Sequence, residues 1–381
     1  MIKHLLTVFF CCFILANLNA QSYGNEWIDY SQKYYKIKIA KNGIYRLDSV
    51  TLAKAGIPVS SIDARNFQLF NKGKEQPIYI AGESDAVLNA ADFIEFYGAK
   101  NDGELDTALY IYTPSLPNPY YSMVYDTSVY YLTWNASFTN KRMQLETDTS
   151  FASYPKAPYF LRTELMENHE NYYYGETDIV GSTDSRYVRS ETWGGPAFNL
   201  GGVDYYIMAT TNRYLNGPDA VVKTKVIGAS KDDNLINNNQ PDHHLNIQFN
   251  TNTIDTLFFG YEANTFVKHV PVSSLTEGNT YVYYRSIADP GFSSNRSFVT
   301  YLTITYPHTF NLEAKTSYFM TIPDEASPKT QLSFTNFNAP GTVHLYDLTN
   351  SKRILVVKAG LEHRAIIPNT GAEKKCFLSS D

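Results

Sequence analysis

Alternation of apolar and polar positions at a period of two dominates this chain. In residues 35–47, YKIKIAKNGIYRL, Tyr35, Ile37 and Ile39 share one side and Lys36 and Lys38 the other. Asn42-Gly43 has the composition of a two-residue turn and Ile44 opens a return strand, so the pattern predicts a β-hairpin. Asp48 or Ser49 then caps a short helix over 50–55, closed by Gly56 and stopped by Pro58. Phe67 to Phe70, a turn at Asn71-Lys72-Gly73 and residues 77–80 predict a second hairpin, and residues 92–98 one more strand. A less regular stretch with Pro114, Pro117 and Pro119 follows. Over 159–170 (YFLRTELMENHE) a helical reading competes with a strand.

From about Trp193 onward, β-rich runs recur at spacings suited to a sandwich. They cover 203–211, 220–227, 245–249, 256–261, 281–286, 298–306, 341–348 and 353–357. The Asn/Asp-rich stretch 230–244 reads as a solvated loop, and Pro323 and Pro328 flank a junction before the last β segment. The fold class expected is mainly β. A small β-rich α+β N-terminal domain with one short helix spans 21–150. An antiparallel β-sandwich follows over 151–325, and a short C-terminal β segment over 326–381. Composition pushes the same way: 31 tyrosines and 22 phenylalanines fit pleated, half-buried surfaces. Most of these tyrosines are expected to pack the ring and wet the hydroxyl; a sugar-stacking platform is the other use of such residues.

Residues 1–20 read as an export signal. Lys3 and His4 precede an apolar run over 5–15 broken only by Thr7, and Ala20 stands before Gln21 as the cleavage point. The run, with Cys11 and Cys12 inside it, is shorter than the ~20 residues needed to cross a bilayer. No later segment is long and apolar enough to do so. Export to the periplasm, outer-membrane surface or extracellular space is expected. Loss of the signal leaves Cys376 alone, without an intramolecular disulfide partner. The formal net charge of −6 argues against a nucleic-acid backbone as partner.

Candidate chemistry is sparse. A cysteine nucleophile needs a base within hydrogen-bond reach. His363 precedes Cys376 in a strand-like run, while Cys376 falls on what reads as a terminal tail. Adjacent His243 and His244 point to opposite faces of a strand, which disfavours a shared metal. His169, among Glu164, Glu167 and Glu170, lacks a second histidine one turn away. Residues 82–93, GESDAVLNAADF, invite a calcium loop through Glu83, Asp85, Asn89 and Asp92. Ala81 and Ala86 stand where such a loop wants its first ligand and its glycine. Residues 194–202, GGPAFNLGG, lack the lysine of a phosphate loop, and no nucleophile elbow occurs. No catalytic pair and no cofactor site are therefore assigned, beyond the calcium candidates.

Longer stretches carry a family resemblance. YYKIKIAKNGIYRLDSVTLAKAGIP, RNFQLFNKGKEQPIYI and DFIEFYGAKNDGELDTALY resemble the N-terminal region of gingipain-type cysteine peptidases. The nearest likeness is to the sortase-type members of the type IX secretion system of Gram-negative bacteria. HENYYYGE, SETWGGPAFNL and FTNFNAPGTVHLYDLTNSKRI extend the resemblance over most of the chain. It implies a β-rich region that precedes an α/β catalytic domain holding the His and Cys pair. This chain is expected to stop before that domain, so no catalytic residue carries over and Cys376 does not match the nucleophile's context. The function it implies is a non-catalytic, prodomain-like or scaffold portion of a secreted cysteine endopeptidase. Its partners would be a gingipain-like catalytic domain or proteins of the secretion machinery. The alternative is an exported carbohydrate- or protein-binding β-sandwich, for which three or more coplanar exposed aromatics on one face are the mark. A third expectation, residual peptidase activity through Cys376, requires an activated thiol.

Overall fold

The computed structural model describes residues 24–111, 118–136, 140–177, 184–289 and 291–380; the export signal expected at 1–20 lies outside them. The chain is mainly β and divides into two compact units. The first holds residues up to Lys38, Leu47–Ile94 and Val129–Lys141, and the second Ile39–Arg46, Glu95–Ser128 and Arg142–Asp381.

In chain order the early elements are β1 (Tyr35–Ile39), β2 (Gly43–Asp48), α1 (Ser49–Lys54), β3 (Phe67–Asn71), β4 (Lys74–Gln76), β5 (Tyr79–Ile80), β6 (Phe93–Gly98) and β7 (Ser128–Trp134). One sheet runs β1-β7-β3-β4 and another β2-β6-β5. Helix α1 starts as its sequence dictates, with Asp48 accepting from the Thr51 N–H at 2.6 Å, and Gly56 ends it at positive φ. Strands β3 and β4 turn through Lys72 and Gly73, both at positive φ. Trp27 stacks on Phe70 at 5.1 Å.

The hairpin predicted at Asn42-Gly43 does not form, because β1 and β2 belong to different sheets. Gly43 lies outside the positive-φ region such a turn needs. Tyr35 stacks on Trp134 of β7 at 6.0 Å, and Tyr45 stacks on Phe96 of β6 at 5.8 Å. Those non-local partners bury more ring surface than a two-stranded ribbon could.

The second unit continues with β8 (Gln144–Glu146), β9 (Phe160–Glu167), β10 (Asn171–Tyr174), β11 (Glu191–Gly194), β12 (Val203–Thr210) and β13 (Ala220–Gly228). After α2 (Asp233–Asn237) come β14 (His243–Phe249), β15 (Asn252–Phe258), β16 (Ala263–Val270), β17 (Gly278–Ser286), β18 (Ser297–His308) and β19 (Ser317–Ile322). The last are β20 (Lys329–Phe334), β21 (Val343–Asp347), β22 (Lys352–Leu355), β23 (Val357–Ala359), β24 (Glu362–Pro368) and β25 (Lys374–Ser380). A nine-stranded sheet, β16-β13-β18-β9-β19-β25-β21-β22-β8, forms the backbone of this unit; only β22 and β8 pair in parallel.

Two cores use that sheet. At one end, Val222, Val226, Leu302 and Ile304 pack with Met208, Leu245, Ile247, Val282 and Tyr284 of a four-stranded sheet ordered β12-β17-β14-β15. At the other, Met320, Leu345 and Leu378 pack with Leu332, Phe334, Ala365 and Ile367 of β20-β24-β23. Strand β18, covered on both sides, is buried at every position but Thr305.

Two local expectations are corrected. The stretch 159–170 forms strand β9 despite its helix-favouring Leu, Glu and Met. Pairing with β18 over the whole strand overrides that propensity. The stretch 230–244 is not a solvated loop throughout. It contains α2, capped by Asp232, and buried Asp242 accepts from the N–H groups of Asp232 (2.8 Å) and Gly260 (2.7 Å).

Candidate functional site: a tyrosine face on the four-stranded sheet

Alternation along β12, β17, β14 and β15 sends every second side chain away from the core. Outward from β12 point Val203, Tyr205 and Ile207; from β17, Tyr281, Tyr283 and Arg285; from β14, His244, Asn246 and Gln248. Register then fixes neighbours across the sheet. Tyr205 stands opposite Tyr283 and Ile207 opposite Tyr281. Gln248 continues the row from Tyr283, and Asn246 the row from Arg285.

The result is a cluster of three outward rings, Tyr205 and Tyr281 exposed and Tyr283 half-buried. Tyr205 and Tyr283 have centroids 5.7 Å apart, and both Tyr205–Tyr281 and Tyr281–Tyr283 lie at 6.4 Å. Their planes differ by only 17–33°. Tyr205 is 53% exposed and Tyr281 42%. Among the described residues none of the three hydroxyls has a protein partner. Polar groups border the rings. The Arg285 guanidinium lies 5.1 Å from the Tyr283 ring and donates to Gln248 Oε1 at 2.6 Å. Asn246 donates to Asp255 at 3.0 Å. His244 sits 2.7 Å from Asp289 and 3.3 Å from Asp255. Burial pulls its pKa down, but hydrogen bonds and charge from the two aspartates outweigh that and raise it. Parallel aromatic faces ringed by fixed donors and acceptors can stack on a flat apolar surface and hydrogen-bond its polar edge.

The other candidates lie elsewhere. Cys376 is not on a tail: it occupies the middle of β25, opposite Met320 and Asp347, and is fully buried. Burial chiefly, with Asp347 adding to it, pushes its pKa well above the ordinary thiol value. His363 belongs to β24 in the other sheet of that sandwich, edge-on to Phe337, and no hydrogen bond joins it to Cys376. His243 and His244 part as alternation requires. His243 is buried flat against Phe258 at 4.6 Å, with Nδ1 2.9 Å from Asn295 Oδ1. His169 stacks on Tyr121 and has Glu167 3.9 Å from its Nδ1, but Glu167 also takes Lys100 at 3.2 Å and Glu164 pairs with Arg162, so one acid, already shared with a lysine, reaches the histidine.

In the calcium candidate, Asp85 accepts from Val87 N–H and Asn89 Nδ2, both at 3.0 Å, and Asp92 accepts from Asn89 N–H at 2.8 Å. Glu83 opens the single 3₁₀ turn before them. The Asp85 and Asp92 carboxylates thus answer donors within their own turn. Among the described residues no group of three or more metal-ligating side chains gathers, and no helix is long and apolar enough to cross a membrane.

The tyrosines of the face were counted in the sequence but not singled out. The signal that could have found them is the pair Tyr281 and Tyr283, two apart in a strand-like run with Arg285 following.

No protein family and no curated protein matches this sequence. Among solved structures, the chain is similar to the CBM36-1 domain of a multidomain xylanase from the hindgut metagenome of Trinervitermes trinervoides, at 13% identity. That match covers 38% of this chain and 95% of the other, with a TM-score of 0.21. A carbohydrate-binding module CBM36 in complex with calcium and xylotriose matches at 11% identity over 37% of this chain and 98% of its own, TM-score 0.21. A β-porphyranase of glycoside hydrolase family 86 from the human gut bacterium Bacteroides plebeius matches at 9% identity over 74% of this chain and 35% of its own, TM-score 0.20. Values this low leave function to be argued from the chain's own residues.

Proposed function

We propose that this protein is an exported, non-catalytic β-sandwich that binds a carbohydrate chain across the outer face of β12, β17 and β14. The observation that carries the reading is the set of near-parallel outward rings of Tyr205, Tyr281 and Tyr283, the first two exposed. The C–H faces of pyranose rings stack on such tyrosines, while Arg285, Gln248 and Asn246 are placed for sugar hydroxyls. A shallow face takes the side of a chain rather than a buried end.

The test is a glycan array followed by calorimetry on the best neutral oligosaccharide. Tyr281→Ala and Tyr205→Ala, both at exposed positions, are expected to weaken binding about tenfold each while leaving the melting curve in place. Silence across the array, or wild-type affinity in both variants, defeats the reading. The same titrations with and without calcium test Glu83, Asp85, Asn89 and Asp92; a calcium-dependent affinity adds the ion.

A second reading follows from the resemblance to gingipain-type peptidases. Val203, Ile207 and Leu257 open apolar surface on the same sheet, which a protein partner would bury. In that case the face docks a peptidase catalytic domain or a component of type IX secretion. Adding residues 21–381 in trans to such a domain separates the two, since only this version predicts complex formation that Tyr281→Ala weakens.

A further inference from the structure

A second cleft, of about 400 Å³, opens in the same unit where β10 meets the beginning of β18 and the end of β13. Its walls are aromatic: Tyr172, Tyr173 and Tyr174 of β10, with Tyr261 and Phe298. Tyr173 is held flat on Phe298, centroids 3.7 Å apart, and its hydroxyl donates to the Gly195 carbonyl at 2.7 Å. Tyr172 is fixed by its bond to the Glu191 carboxylate and by an edge contact with Trp193. Those two rings are structural. Gly228 lets the wall form, since a Cβ there would stand 1.8 Å from the Gly260 carbonyl oxygen.

Three further groups face the cleft with their polar ends free of hydrogen-bond partners among the described residues. Tyr174 is 71% exposed; its ring meets Tyr172 edge-to-face at 5.4 Å, and its hydroxyl has no partner among the described residues. The Tyr261 hydroxyl has none either; burial first and Glu176 second raise its pKa against the pull of Arg296 and Lys231, so it stays a donor. The Arg296 guanidinium lies 5.8 Å from the Tyr173 ring, with no carboxylate or carbonyl partner among the described residues. Nearby Lys231 is already paired with Asp233 at 3.0 Å. One guanidinium without a carboxylate partner, beside the exposed Tyr174 ring and a phenolic donor, matches a single planar carboxylate carried on a ring. A phosphate would call for further cations or a nest of backbone N–H groups.

We propose that this cleft binds an acidic sugar residue, a uronic acid, with Arg296 holding its carboxylate, Tyr261 donating to it, and Tyr174 stacking on the ring. The inference rests on the carbohydrate reading above and gives it a charge-specific subsite apart from the tyrosine face.

The experiment is calorimetry of the full chain with tetragalacturonate and with a neutral galactotetraose, on wild type, Arg296→Gln and Tyr281→Ala, each checked for an unchanged melting curve. Arg296→Gln is expected to weaken tetragalacturonate binding about tenfold and leave the neutral ligand untouched. Added salt should weaken the acidic ligand only. Failure of wild type to bind tetragalacturonate, or binding that Arg296→Gln leaves unchanged, overturns the proposal. Failure of the sheet face reads differently: the neutral ligand does not bind, or Tyr281→Ala has no effect, while the Arg296 dependence persists.

Discussion

At the scale of single residues, surroundings decide chemistry more than identity does. Cys376 carries the side chain of a nucleophile, yet it shares a core with Met320, Leu345 and Leu378, where burial and Asp347 outweigh the pull of Lys374 toward a thiolate. Residues 21–381, which hold Cys376 as their one cysteine, are therefore expected to resist iodoacetamide at pH 8 when folded and to take up one label only after denaturant is added. Rapid labelling of the native protein, followed by mass spectrometry, would contradict this. The opposite holds for Tyr205, Tyr281 and Tyr283, whose individual side chains are unremarkable for a strand. Their significance comes from register, which sets Tyr205 against Tyr283 from a strand more than seventy residues away. Composition raised the possibility of a sugar platform, but no local pattern in the chain states which strand pairs with which. The uncommitted state of Arg296 is hidden for the same reason, since a missing partner is a property of the fold.

Among elements, short-range rules were legible where nothing distant competed. The Asp48 cap, the Gly56 stop and the Lys72-Gly73 turn stand as the sequence implies. The hairpin at Asn42-Gly43 and the helical reading over 159–170 lost to long-range pairing: β1 to β7, β2 to β6, β9 to β18. What β6 gains from its place is an ion cluster. Glu95, wholly buried, accepts from Tyr346 at 2.7 Å and Arg353 at 2.8 Å on one oxygen, and from Arg46 at 2.7 Å on the other. Burial raises its pKa, but Arg353, Tyr346 and Arg46 together bring it below the ordinary 4.5. A carboxyl whose folded pKa is depressed stabilises fully above its unfolded value and loses that contribution as pH falls through the folded one. Glu95→Ala is expected to cost about 3–5 kcal/mol in urea melts at pH 7, because it removes the buried carboxylate that Arg353, Tyr346 and Arg46 share. The difference from wild type should shrink as pH falls below 4.5. A cost under about 1 kcal/mol, the range of an exposed pair, would mean the cluster is solvated.

On the scale of the whole molecule, the mainly β class followed from alternation and aromatic content, but the sharing of one sheet by two cores did not. Strands β9 and β19 join the two ends of that sheet through pairs such as Leu161 with Thr321, between segments far apart in sequence. The second unit is likewise assembled from separate pieces of chain, since Ile39–Arg46 and Glu95–Ser128 belong to it together with everything from Arg142. Those early pieces contribute Glu95 to Tyr346 and Arg353, the ring of Tyr97 against Phe377 at 5.5 Å, and the Tyr110 hydroxyl to the Glu191 carbonyl at 2.8 Å. A fragment running from Arg142 to Ser380 keeps every strand of the tyrosine face and of the Arg296 cleft, yet loses these supports. Its melting transition is expected about 10 °C below that of the same unit in the full chain, the shift that loss of one buried ion cluster produces at this size. Scanning calorimetry of the two proteins reads the difference directly. Coincident transitions would show that the continuous C-terminal stretch folds by itself, and that the early segments rest on it without holding it together.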